Sequence, residues 1–276
     1  MQERETAVSM ALVWIAVIMG IVEGLTEYIP VSSTGHLIVA GALLGLEGEK
    51  GKTFEIFIQL GAILAVVIYY RRRFLGLLDF RTGEGRGFAG LRGCLMLGVT
   101  TAPVLVAGFL LHDLLKARLF GPLTVAWALG VGGLGILAVE RWRPRPDTEG
   151  LDRIGWGQAL AIGLFQCLSL WPGVSRAAAT IVGGMLARLD RKTAAEYSFF
   201  AAVPALTAAT LYDLYKSRGL LGAQDVPFFA VGFLVSFVAA WLAVAGFLRL
   251  LQRGSLRPFA WYRILVAPAI YYFMRS

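Results

Sequence analysis

Residues 23–36 read Glu23-Gly24-Leu25-Thr26-Glu27-Tyr28-Ile29-Pro30-Val31-Ser32-Ser33-Thr34-Gly35-His36, in the middle of an apolar segment that spans residues 10–46. A helix crossing the roughly 30 Å hydrocarbon core of a bilayer needs about 20 apolar residues in a row. This segment is long enough, yet Pro30, Gly35 and a run of hydroxyl residues break it at its centre. Non-helical backbone at membrane depth survives only where protein or a water-filled cavity covers it. The stretch therefore reads as helix, break, helix, turning back to the side it entered from. A second segment, residues 156–188, has the same build, with its break in Leu170-Trp171-Pro172-Gly173-Val174-Ser175-Arg176-Ala177-Ala178-Ala179-Thr180.

The chain around these segments belongs in lipid. Of its 276 residues 57% are hydrophobic and only 16% charged, with a mean hydropathy of +0.68. Soluble domains carry about 25% charged residues, so a soluble globular enzyme, a disordered chain and a disulfide scaffold are all excluded. Six further apolar runs read as membrane helices, near 54–71, 94–112, 122–140, 194–214, 226–249 and 258–275. Trp127, Trp142, Trp156 and Trp261 fall near segment ends, where an interfacial belt would put them. Cys94 and Cys167 have no ligand spacing and read as small buried hydrophobes. The polar start, without a basic region, predicts no cleavable signal peptide.

The two broken segments look like copies. Gly20, Pro30 and Ser33 recur as Gly163, Pro172 and Ser175, and Lys52, Thr53 and Glu55 recur as Lys192, Thr193 and Glu196. The predicted fold is an all-α integral membrane protein of two inverted-topology repeats, residues 1–146 and 147–276. Each repeat is a re-entrant hairpin, near 10–46 or 156–188, plus three transmembrane helices. Placing the N-terminus outside puts 16 Lys and Arg in inner loops and 8 in outer segments, with Arg176 and Arg263 completing the 26. That excess follows the positive-inside rule. It accounts for the net charge of +8 without nucleic acid.

Charged residues inside apolar segments are expensive and mark function. Glu23, Glu27, Glu55, Arg176 and Glu196 are such residues, with His36 beside them. Glu23 and Glu27, four apart, share a helix face; two carboxylates there form an acid/base pair, a clamp for Mg²⁺ or Ca²⁺, or a pair solvated in an outer vestibule. Ser33 and His36, three apart, would bring an imidazole near a hydroxyl. The helix start after Pro30 offers free N–H groups to an anion. Ser32 or Ser33 could instead cap that helix, with His36 bonded to backbone. Arg176 grips phosphate bidentately or serves as the structural partner of Glu23 or Glu27. Together these groups suggest phosphoryl chemistry on an anionic lipid. Glu55 and Glu196 read as ties from each hairpin to the next helix, the run Arg71-Arg72-Arg73 as a cytoplasmic anchor, and His112 beside Asp113 as an interfacial group.

The fourteen residues Glu23–His36 and the later Pro172-Gly173-Val174-Ser175-Arg176 closely resemble the undecaprenyl-diphosphate phosphatase family, also called the bacitracin-resistance family. The likeness extends to Phe54-Glu55, Gln59-Leu60-Gly61 and Asp213-Leu214-Tyr215-Lys216-Ser217. It implies an enzyme of the bacterial inner membrane that removes the terminal phosphate of undecaprenyl diphosphate and so recycles the lipid carrier for cell-wall synthesis; the charge count, separately, predicts a site open to the outer face. The family's roles fall on Glu23, Glu27, Ser33, His36 and Arg176. Phosphate contacts are expected from Ser32, Thr34, Gly35, Ser175 and Arg176, and a divalent cation at Glu23 and Glu27. Ser33 is the expected nucleophile, with His36 or Glu27 relaying its proton; His36 as nucleophile, or direct attack by water, stays open. The family's second motif reads Ser-Arg-Ser-Gly, whereas this chain has Ser175-Arg176-Ala177-Ala178, one hydroxyl fewer. The expected partners are the polyprenyl diphosphate and membrane lipids, with a homodimer left open. A lipid-phosphate transporter or flippase built on the same paired breaks is the alternative function.

Overall fold

The computed structural model describes residues 2–46, 48–80, 87–119, 121–220 and 222–275; within these, the side chains of 2–9, 112, 113, 116, 117, 122, 253 and 274 are not described. His112 and Asp113 therefore lie outside the described side chains. Eleven α-helices run through the described residues: α1 (Gln2–Thr26), α2 (Ser33–Leu44), α3 (Gly48–Tyr69), α4 (Arg71–Leu77), α5 (Gly90–Leu119), α6 (Pro122–Trp142), α7 (Trp156–Gln166), α8 (Arg176–Leu186), α9 (Arg191–Ser217), α10 (Val226–Arg253) and α11 (Arg257–Arg275). Among these residues there is no strand beyond a single bridge between Thr148 and Leu189.

All six expected membrane runs are helical. Four helical stretches, Gly48–Tyr69, Gly90–Leu111, Leu123–Trp142 and Ala223–Gln252, are long and apolar enough to cross a bilayer. The stretches α9 and α11 are long but fall short on apolarity, because they carry polar residues that face the protein interior, Ser198 and Arg263 among them. Large apolar side chains cover the outside: Phe109 is 85% exposed and Leu265 74%. Water would not tolerate such a surface, and lipid does. Cys94 and Cys167, expected to be buried, are only half-buried, and their thiols donate to Leu77 O and Gly163 O.

Both predicted breaks are present. α1 stops at Thr26 and α2 starts at Ser33; α7 stops at Gln166, a 3₁₀ turn covers Cys167–Leu170, and α8 starts at Arg176. Each pair folds back on itself. Met19 of α1 meets Gly41 of α2, while Phe165 and Ile162 of α7 meet Gly183 and Gly184 of α8. The residue before each second helix, Ser32 (φ 74°) or Ser175 (φ 72°), has left-handed backbone. Such a conformation costs a non-glycine residue about 1–3 kcal/mol and tends to occur at functional sites. The structural match is thus Val31-Ser32-Ser33 with Val174-Ser175-Arg176, shifted by one from the pairing of Ser33 with Ser175 that Pro30 and Pro172 suggest. Gly173 (φ 99°), which sits against Val125 O, is the extra residue. Ser33 and Arg176 are consequently each the first residue of their helix.

Small residues close the bundle. A Cβ on Gly20 would meet Gly232 O at 2.7 Å, and one on Gly24 would meet Ser236 O at 2.5 Å. Glycines four apart therefore let α1 lie against α10 backbone to backbone, the usual economy of helix pairs in lipid. This contact fixes the roll of α1 and leaves Glu23 and Glu27 inside the protein.

Candidate active site

The Ser33 hydroxyl donates to Glu27 Oε2 at 2.6 Å. Arg176 Nη2 donates to Glu27 Oε1 at 3.0 Å, and both side chains of this ion pair are less than a tenth exposed. One carboxylate from the first break therefore joins the leading residues of α2 and α8. Arg176 is held in turn: Nη1 donates to Ser198 O and Ser198 Oγ, both at 3.1 Å. Ser198 Oγ lies 2.6 Å from Thr180 Oγ1, and Thr180 Oγ1 donates to Arg176 O at 2.8 Å. The guanidinium also sits 5.2 Å from the centroid of the Tyr28 ring, a cation–π contact. Its Nε remains without a partner among the described residues.

A cavity of about 290 Å³ opens between the breaks, lined by Glu27, Ser32, Ser33 and Thr34 from the first and by Pro172, Gly173, Ser175 and Arg176 from the second. Gln59, Gln166 and Ser169 complete its polar wall. No side chain caps α2, because the Ser32 hydroxyl makes no capping bond. Ser175, by contrast, caps α8 by accepting from Ala178 N at 3.2 Å. The first-turn N–H groups of α2 thus remain for an anion, and those of α8 are partly spent. Gly35 is buried under Ile270 and Leu129 and does not line the cavity. Ala177 and Ala178, where the family motif has Ser and Gly, are packed in the core.

His36 is not brought to Ser33. Its Nδ1 donates to Ser32 O at 2.7 Å, and Tyr262 Oη donates to Nε2 at 2.7 Å when the ring is neutral. Tyr262 also stacks on the imidazole, with 5.6 Å between centroids. Both ring nitrogens are engaged away from the hydroxyl, which instead finds the carboxylate six residues earlier. Glu23 is buried to 1% exposure, and neither of its oxygens has a hydrogen-bond partner among the described residues. Glu27 has both oxygens engaged, so the two carboxylates do not share one ligand set as they stand. No group of three or more His, Cys, Asp or Glu side chains gathers among the described residues. The orphaned Glu23 oxygens nonetheless fit a cation, since a buried carboxylate needs a proton or a positive partner.

Glu55 lies against α2, its Oε1 beside Gly41. Glu196 differs: it accepts from Tyr70 Oη at 3.3 Å, joining α9 to the corner between α3 and α4 rather than to its own hairpin. Arg73 of the basic run pairs with Asp152 at 2.9 Å.

Ser198, Gln166, Tyr262 and Arg263, all near the site, escaped the sequence reading. Arg263 is completely buried and donates to backbone carbonyls in both breaks and in α6. The rule that singled out Arg176, a charge within an apolar run, applies equally to Arg263 and would have found it.

The helices define a multi-pass membrane protein with a polar cavity at paired helix breaks. Residues 16–269 match the family model described as bacitracin resistance protein BacA, and the chain belongs to that family. Relatives named undecaprenyl-diphosphatase include one from Oleidesulfovibrio alaskensis, 56% identical over 258 residues (94% of this chain and 97% of the relative). Another, from Maridesulfovibrio salexigens, is 56% identical over 264 residues, covering 96% of this chain and 99% of its own. A third, from Nitratidesulfovibrio vulgaris, is 57% identical over 259 residues, with 94% and 97% covered.

Proposed function

We propose that this protein hydrolyses undecaprenyl diphosphate to undecaprenyl phosphate and inorganic phosphate, with Ser33 as nucleophile and Glu27 as its base. The observation that carries this reading is the 2.6 Å hydrogen bond from Ser33 to a carboxylate that Arg176 holds from the other break. A hydroxyl with a general base in hydrogen-bond reach is an activated nucleophile. The terminal phosphate binds against the open N–H groups of α2 and against Arg176, with Ser32, Thr34 and Ser175 around it. Ser33 Oγ attacks the terminal phosphorus, its proton passes to Glu27, and the bond to the bridging oxygen breaks, releasing undecaprenyl phosphate. Glu27, having passed its first proton to the departing bridging oxygen, then takes a proton from the water that attacks the phosphoserine, and gives it to Ser33 Oγ as inorganic phosphate leaves. Charge stabilisation and positioning supply most of the acceleration, as in phosphoryl transfer generally. His36 holds the start of α2 rather than relaying the proton. A divalent cation, when bound, would neutralise diphosphate charge; Glu23, whose oxygens are unpartnered among the described residues, would hold it.

Support for a lipid substrate comes from a second space. An apolar groove of about 990 Å³ between α4, α5 and α9 shares Leu105 with the polar cavity. An isoprenoid chain can lie there while its diphosphate occupies the smaller cavity. The two halves, 1–146 and 147–276, are inverted repeats whose breaks meet at this site. The charge excess in the loops supports a site open to the outer face of the bacterial inner membrane.

The test is phosphate release from undecaprenyl diphosphate by purified protein in detergent, where no transport is possible. Release that is lost in Ser33→Ala and Arg176→Ala supports hydrolysis. No release from any polyprenyl diphosphate overturns it in favour of a transporter.

A further inference from the structure

Arg263 is a buried cation whose ligands are all backbone. Its Nε donates to Leu129 O at 3.2 Å; Nη1 donates to Pro30 O at 3.2 Å and Val174 O at 2.9 Å; Nη2 donates to Ala128 O and Gly173 O, both at 3.1 Å. A guanidinium has five N–H donors in a rigid planar fork, and here every one is used. No carboxylate pairs with it among the described residues. Neutralisation alone would need a single acidic partner, whereas five carbonyls drawn from three segments act as a spacer. One nitrogen, Nη1, bridges the two breaks: Pro30 lies three residues before Ser33, and Val174 two residues before Arg176. The space for this fork is prepared in α6. A Cβ on Gly132 would fall 2.2 Å from Arg263 Nη2 and 3.0 Å from its Cζ. The preceding residue on α11, Tyr262, grips His36 at the start of α2.

We infer that Arg263 is a positioning residue that sets the gap between the two helix breaks, and with it the alignment of Ser33 and Glu27 against the Arg176 clamp. This rests on the reading of the cavity as a phosphatase site, but the spacing itself can be measured without turnover. Lysine cannot substitute, having three donors on a point charge rather than a planar fork. A misplacement of about 1 Å costs about 100-fold in rate, so the expected signature is a loss in kcat rather than in KM.

The experiment compares wild type with Arg263→Met, Arg263→Lys and Gly132→Ala, the last displacing the guanidinium while leaving the residue in place. Two readouts are taken. The first is the distance distribution between spin labels on Thr34→Cys and Trp171→Cys, in a background where Cys94 and Cys167 are replaced by Ser. The second is steady-state phosphate release. The expected result is a shifted or broadened distance in Arg263→Met and Gly132→Ala, with kcat down about 100-fold and KM within about threefold. Arg263→Lys falls between. Unchanged distances, or a folded Arg263→Met or Gly132→Ala with wild-type kcat, overturn the inference. If none of these variants folds, Arg263 is a scaffold residue and the inference fails as well. A wild type that releases no phosphate overturns the proposed function instead, and the label distances then decide the role of Arg263 alone.

Discussion

Ser33 and Glu27 are joined by a 2.6 Å hydrogen bond across the first helix break, and the carboxylate's other oxygen faces Arg176 of the second. The proposed nucleophile, base and phosphate clamp are thus one connected unit, and units of this kind respond to mutation non-additively. Ser33→Ala and Glu27→Gln are each expected to lower kcat by about 10²–10⁴. The double variant should lose little more than the worse single one. Phosphate-release kinetics on the three variants check this, and multiplicative losses would show that the two residues act independently.

Arg176 pairs with Glu27 and is the proposed phosphate clamp, and its variants should separate the two tasks. Arg176→Ala leaves Glu27 as a buried, unpaired carboxylate, expected to cost about 3–5 kcal/mol of stability. Arg176→Lys restores a charge beside Glu27 but not the fork that also reaches Ser198. Thermal melting should therefore show Arg176→Lys near wild type and Arg176→Ala well below it. Both should lose activity, by about 10²–10³ in kcat, the scale of one lost transition-state donor.

The sequence showed where the helices break but not how the broken ends are wired. Pro30, Pro172 and the hydroxyls beside them stand out because nothing polar belongs in an apolar run, so both hairpins were legible. The wiring depends on directions that spacing does not carry. Ser33 and His36 have the right separation for a pair, yet the imidazole turns back to Ser32 O and outward to Tyr262 on α11, 226 residues away. Glu196 likewise reaches Tyr70, 126 residues away, instead of its own hairpin. Arg263 bonds only to carbonyls, which every residue has, so no partner residue type announces it.

Glu23 tests the cation. Its two oxygens are buried and unpartnered among the described residues, so replacing the carboxylate should not harm packing. If a divalent ion sits there, a chelator abolishes release and Glu23→Gln raises the Mg²⁺ or Ca²⁺ concentration for half-maximal rate at least about tenfold, a loss typical even of outer-shell partners. Chelator-resistant activity with Glu23→Gln at wild-type rate would remove the cation from the mechanism.

Glu140 serves as a control for stability without chemistry. It accepts from Arg191 Nε at 2.9 Å and from Leu256 N at 2.8 Å, fastening α6 to α9 and to the turn before α11. Glu140→Ala strands Arg191 and should cost about 3–5 kcal/mol. The kcat of the folded fraction should remain at the wild-type value. Denaturation in detergent, alongside activity normalised to folded protein, separates the two effects.

The measurement that bears most directly on a serine-based, two-break active site is a rapid quench of the purified protein with undecaprenyl diphosphate labelled in its terminal phosphate. Transient label is expected on the peptide containing Ser33, absent from Ser33→Ala, decaying as inorganic phosphate appears. Full turnover with no label on protein, or label on His36, would contradict a serine-based site.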